Sequence, residues 1–291
     1  MWHEQREIMT KKNFREEIKQ HLIHYKKDVL NIYELGINGN KRFKRPYEHI
    51  LPERLSRLNI IKQYRDDFFG SSYSEIETHD CFHHLNSSQA LCINLFYPLI
   101  AEDRLSLIAE LLNLPQDEIR NPAFEFIADL EQTESGRTNF DFYFEIAQQF
   151  KVYVELKYTE NKFGNVNINP YYKNKFEKTY LPLLVNNPYI RKEFKSMTPF
   201  LENYQIMRNL VHIGDDSTVV FLYPEANRKI HEQALLAFKE MVTEKGRQHL
   251  KLLALEETLQ HITSSLNSGR LKNHFDDFVE KYLLSSTINT Q

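Results

Sequence analysis

At Phe124 the spacing of apolar residues changes from about 3.6, the helical period, to strict alternation. That change limits what the chain can fold into more than any other feature. Phe124, Phe126, Ala128 and Leu130 alternate with Glu125, Ile127, Asp129 and Glu131. After the turn signal Ser135-Gly136, a second run sets Phe140, Phe142, Phe144 and Ile146 against Asp141, Tyr143 and Glu145. A break at Gln148-Gln149 leads to a third, with Val152, Val154 and Leu156 against Tyr153, Glu155 and Lys157. Residues two apart share one face of a strand, so each run carries one greasy and one more polar face. Three such runs joined by short links predict an antiparallel meander.

Helical spacing brackets the meander. Phe14, Ile18, Leu22 and Tyr25 predict a first helix, and Gly and Asn at 36–40 stop it. Asn86-Ser87-Ser88 offers N-caps for a helix toward Pro98, and a further helix is predicted over 102–112, closed by Pro115. Beyond the meander the pattern predicts a helix over 200–212, a buried strand over 218–223, a long helix from Asn227 and a strand over 250–255. Helices over 256–266 and 271–283 finish the chain. The expected class is α/β, with a mixed sheet and flanking helices. Residues 1–80 read as a mainly helical N-terminal extension and 81–291 as the main domain.

Charge and cysteine usage narrow the partners. The 291 residues carry a net charge of -3, so the chain is not a polycation, although a local basic surface would suffice for nucleic acid. From Lys151 to Lys195 there are nine Lys/Arg against four Glu. Lys162, Lys173, Lys175 and Lys178 are the expected phosphate contacts. Lys41-Arg42-Phe43-Lys44-Arg45 is a second basic stretch, read as a solvated loop or a phosphate contact. Cys81 and Cys92 are the only cysteines, which argues against a disulfide framework and for a reducing cytoplasm. No run approaches the roughly 18–20 apolar residues of a membrane span. The residues that open the chain lack the apolar core of a signal peptide. His79, Cys81, His83, His84 and Cys92 lack the second ligand pair of a zinc site. No P-loop and no G-x-S-x-G elbow is present.

The third alternating run carries the chemistry. Glu155 and Lys157 lie on one face of one strand, and Asp141 lies on the polar face of the preceding strand. Phosphodiester hydrolysis needs a cation to neutralise charge on the phosphate, a nucleophilic water and a group to position it. Mg²⁺ prefers oxygen ligands, often one or two carboxylates with several waters. With a register that brings the polar faces together, Asp141 and Glu155 share a cation and Lys157 sits beside the water. A slip of one residue would reverse the face. The plainer reading is a solvated sheet face with a cross-strand ion pair.

Asp141, thirteen intervening residues and Glu155-Leu156-Lys157 resemble the D…(D/E)xK signature of the restriction-endonuclease-like, or PD-(D/E)xK, superfamily. The helix–strand–strand–strand–helix–strand order resembles its αβββαβ core. Leu85-Asn86-Ser87-Ser88-Gln89-Ala90-Leu91, the stretch from Gly136 to Asp141, and Tyr204-Gln205 before the Val219 strand resemble, more narrowly, the PGN_0703-type restriction endonucleases. The resemblance spans roughly residues 80–285. It implies Mg²⁺- or Mn²⁺-dependent cleavage of nucleic acid, most often DNA, with Asp141, Glu155 and the Leu156 carbonyl on the metal and Lys157 assisting the water. It further implies a helix-borne Gln, matched by Gln205, and an early Glu, for which Glu125 is the choice and Glu110 the rival. Phe140 stands where the signature has Pro. The alternative function is a non-catalytic nucleic-acid-binding or interaction module that retains the fold. A homodimer is left open.

Overall fold

The computed structural model describes residues 13–39, 44–115, 118–131, 136–146 and 149–284. Asn13 caps α1 (Phe14–His24) by accepting from the Arg15 N–H, and Ile18 and Leu22 are buried as their spacing predicts. A ribbon of β1 (Gly36–Ile37) and β2 (Pro46–Tyr47) and the helix α2 (Lys62–Gly70) follow. Ser87 then accepts from the Ala90 N–H and starts α3 (Ser88–Ala101), which runs through Pro98. The next helix, α4, is short (Ser106–Leu111). The expected start at 102 fails because Asp103 takes a left-handed backbone, φ 52°.

The meander forms as expected. β3 (Ile119–Ile127), β4 (Asn139–Ile146) and β5 (Phe150–Leu156) pair antiparallel in chain order, with Phe124 opposite Phe142 and Phe142 opposite Val154. Four helices follow: α5 (Pro170–Lys175), α6 (Leu181–Val185), α7 (Met197–Glu202) and α8 (Tyr204–Leu210). The single helix expected over 200–212 is therefore two. Asn203 leaves the helical region (φ -115°, ψ 35°), and its amide donates back to the Pro199 carbonyl at 2.9 Å. β6 (Ser217–Tyr223) pairs parallel to β5, and after α9 (Arg228–Leu236) and α10 (Glu244–Arg247) β7 (Leu250–Ala254) pairs parallel to β6. The helices α11 (Leu255–Ser264) and α12 (Arg270–Tyr282) close the described chain.

Each face of the five-stranded mixed sheet holds an apolar layer. One contains α1, α2, α3 and α12 against Phe142, Phe144, Val152 and Val154; the other contains α8 and α9 against Tyr143, Tyr153, Val219 and Phe221. Residues of the expected extension thus share a core with the main domain: Ile18, Leu22, Tyr64 and Phe68 pack in the layer that holds Phe96 and Phe275.

The alternation of the aromatic residues breaks beside Glu125. Phe124 and Phe142 face the first layer, but Phe126 and Phe140 pack with the second. The Phe126 ring stacks on Tyr143 at 3.8 Å, while Phe142 stacks on Phe96 at 4.0 Å. The expected single face for Phe124, Phe126 and Ala128, and for Phe140 and Phe142, is therefore incorrect. Glu125 sits at φ 50°, and Asp141 lies at the matching point of β4. Lys41, Arg42 and Phe43, residues 1–7, Ser135 and Gln148 lie outside the described residues; Lys44 and Arg45 are exposed.

Candidate active site

Glu155 ends β5 almost fully buried, at 3% exposure, so its carboxylate needs partners. It has three. Lys157 Nζ donates to Oε1 at 2.5 Å, Gln205 Nε2 to the same oxygen at 2.7 Å, and Asn209 Nδ2 to Oε2 at 3.0 Å. Gln205 and Asn209 are four apart on α8 and so project from one helix face toward the strand. Gly164 holds Gln205 in place: its N–H donates to Gln205 Oε1 at 2.7 Å, and its carbonyl accepts from the Gln205 N–H at 2.9 Å.

Asp141 arrives from β4. Its Oδ2 accepts from the Leu156 N–H at 2.6 Å, which sets the carboxylate one residue from Glu155. The last ladder pair between the two strands is Phe142 with Val154, so a side chain takes the place of the next backbone bond. Burial and the neighbouring Glu155 push the Asp141 carboxyl well above its ordinary range, against the pull of Lys157. Burial works against the Lys157 charge, yet Glu155 and Asp141 hold its pKa above the ordinary lysine value. Two carboxylates thus crowd one ammonium.

Glu125 lies beside them and contributes to the negative field at Asp141. Its Oε1 accepts from Gln89 Nε2 at 2.8 Å and its Oε2 from Asn139 Nδ2 at 2.6 Å. His79 Nε2 stands 3.4 Å from Oε2, and that bond to Glu125 raises the His79 pKa. Cys92 Sγ donates to the Asp141 carbonyl at 3.4 Å, and burial pushes its thiol pKa up. Glu110, the rival early acid, is exposed on α4 beside His261 of α11, at 3.6 Å. Asp141, Glu155, Lys157, Gln205 and Glu125 are therefore brought to one end of the sheet.

With that geometry in view, comparison with known proteins is informative. A family model described as Restriction Endonuclease associating with ARP matches residues 8–283. This chain belongs to that family. Membership in a restriction endonuclease family carries a nuclease-like role. No curated protein and no solved structure matches the chain.

The lysines nominated in this restriction endonuclease family member fall in different settings. Lys162 is exposed and donates to Asn165 Oδ1 at 2.9 Å. Lys173 and Lys178 are exposed on α5 and on the turn after it. Lys175 is buried; its ammonium donates to the Gly136 carbonyl and lies 5.7 Å from the Tyr180 ring centre. Lys175 thus ties the start of β4 to α5, which its position in a basic run did not reveal. Sequence reasoning missed Asn209, Asn139 and His79 as partners of the carboxylates. Asn209 had a usable signal, four residues after Gln205; the other two had none. Among the described residues, no three His, Cys, Asp or Glu side chains form a ready-made metal cage, and no helix is long and apolar enough to cross a membrane.

Proposed function

We propose that the protein is a metal-dependent nuclease of the PD-(D/E)xK type that hydrolyses phosphodiester bonds in DNA. The observation that carries this reading is Glu155 bonded to Lys157 on one strand end while Asp141 sits against the next backbone N–H. Element order supports it too: α3, the β3–β4–β5 meander, α8 and the parallel strand β6 follow the αβββαβ order.

The donor set fits a hard divalent cation. Asp141, Glu155 and the Leu156 carbonyl are oxygen donors close along the chain, and Mg²⁺ or Mn²⁺ needs few protein ligands because it keeps waters. The crowding that raises the Asp141 pKa is what a cation would relieve. When bound, the metal supplies charge neutralisation at the phosphate and a more acidic water. Lys157, kept charged by its two carboxylate neighbours, orients the attacking water and offsets charge building on the phosphate. Gln205 and Asn209 hold Glu155 still. Glu125, held by Gln89 and Asn139, stands opposite Asp141 on the neighbouring strand.

The test is cleavage of plasmid, linear and single-stranded DNA with and without Mg²⁺ or Mn²⁺. Asp141→Ala and Glu155→Ala are expected to abolish cutting and weaken calorimetric metal binding. Lys157→Ala is expected to abolish cutting while binding metal about as well as the parent. Salt-sensitive DNA affinity without cleavage by the parent in either metal would instead favour a binding module, and parental cutting by Lys157→Ala would show that the site lies elsewhere.

A further inference from the structure

A cleft of about 380 Å³ lies beside the site and is bordered by the N-terminal helix, and its walls come from three distant parts of the chain. Arg15 belongs to α1, His79 and Asn86 precede α3, and Thr159 and Lys162 follow β5. The cleft adjoins the carboxylates at two points: Thr159 lies two residues beyond Lys157, and the His79 ring stands 3.4 Å from Glu125. Asn86 Nδ2 donates to Thr159 Oγ1 at 2.8 Å and locks the two walls together.

The charge of this cleft is unbalanced. Arg15 Nε is buried without a hydrogen-bond partner. A buried donor left without an acceptor is costly, and such groups are rare unless something else satisfies them. Among the described residues, Lys162 meets only the neutral Asn165 oxygen. The acid on the cleft wall, Glu160, is turned to the backbone, where its Oε2 accepts from the Tyr158 N–H at 2.6 Å. Two cations, two histidines, neutral amide and hydroxyl groups and the one backbone-bound carboxylate therefore line one space, which keeps an excess of positive charge beside a group of carboxylates.

We propose that this cleft receives the phosphodiester backbone of one nucleic-acid strand, with Arg15 and Lys162 as its phosphate contacts. The inference rests on the nuclease reading and adds to it a path for the strand and a task for the N-terminal helix. A polyanion cannot lie against Asp141, Glu155 and Glu125 without cationic groups on either side of them, and this cleft supplies them on one side. Arg is suited to the task because its planar fork can grip phosphate oxygens in pairs.

The experiment is fluorescence anisotropy of a short labelled single strand and its duplex, with full-length protein in Ca²⁺, between about 50 and 200 mM salt. The variants are Arg15→Gln with Lys162→Ala, Lys162→Ala alone, and Arg15→Lys. The double variant is expected to bind about ten-fold more weakly or worse at the low-salt end. Its slope of log affinity on log salt should flatten by roughly 0.7 per lost contact on the single strand and 0.9 on the duplex. Arg15→Lys should keep much of the affinity. If the double variant melts with the parent and binds with parental affinity and slope, the strand passes elsewhere and the inference falls, while cleavage by the parent leaves the nuclease reading standing. A parent that neither binds nor cuts overturns both. Should the double variant fail to fold, Lys162→Ala decides, because that side chain is exposed and outside the core; an unchanged slope there overturns the inference.

Discussion

Asp141 carries a charge that the fold does not fully balance. Burial and Glu155 raise its pKa from the ordinary 3.8, so the folded chain holds this proton more tightly than the unfolded chain does. Its ionisation is therefore coupled to folding. Below 3.8 the group is neutral in both states and costs nothing. As pH rises through the window up to the folded pKa, the unfolded state gains by ionising first, and stability is lost. Asn at this position mimics the neutral acid. Asp141→Asn is therefore expected to melt a few degrees (~2–4 °C) above the parent at neutral pH, with the gap closing below pH 3.8. Saturating Mg²⁺ should reverse the order, since a ligand at about 100 times its Kd adds roughly 2.7 kcal/mol to a protein that binds it and nothing to one that does not. Scanning calorimetry at several pH values, with and without metal, checks both. A variant that melts below the parent at neutral pH without metal would remove the case for crowded carboxylates.

Helix α8 is the element that makes Glu155 tolerable in the interior. Asn209 is 1% exposed and is the partner of Glu155 Oε2, so Asn209→Leu strands a buried carboxylate oxygen. That is expected to cost about 1–3 kcal/mol, seen as a lower urea midpoint at unchanged slope. Gln205→Ala should cost less, because Gln205 is half-buried and Lys157 still serves the same oxygen. A destabilisation by Gln205→Ala larger than that by Asn209→Leu would reverse this account of the helix. The elements also show what was legible in the sequence. Alternation is a local property, so it located three strands and placed Asp141 near Glu155-Leu156-Lys157. It could not foresee that Glu125 adopts φ 50°, because nothing in a Phe-Glu-Phe run requires a left-handed backbone. At that residue Phe124 and Phe126 part between two layers, as Phe142 and Phe140 do around Asp141 on the facing strand. Likewise Lys175 read as a surface cation in a basic run, while its burial depends on a carbonyl 39 positions away.

At the scale of the whole molecule, buried contacts join residues on both sides of position 80, the expected edge of the N-terminal extension. Tyr64 of α2 is fully buried, its hydroxyl donates to Glu102 at 2.7 Å, and its ring meets His274 of α12 edge-on at 5.2 Å. Asn59 accepts from the buried Lys281 Nζ at 2.7 Å and donates to the Phe82 and His84 carbonyls. Asn94 of α3 accepts from the Ile61 N–H at 2.8 Å and donates to Tyr282. Removing residues 1–80 would thus expose the first apolar layer, strip the buried Lys281 of its partner and open one wall of the cleft at Arg15. A buried lysine without acceptors is among the costliest outcomes of a deletion, and burial already lowers the Lys281 pKa well below its ordinary value. Residues 81–291 alone are expected to show no cooperative unfolding transition by calorimetry and no protected amides in α3 or α12. An autonomous, cooperatively folding 81–291 fragment would mean that these contacts are an appendage to a finished core, and the N-terminal helices would then lose the structural part of their role while keeping only the cleft.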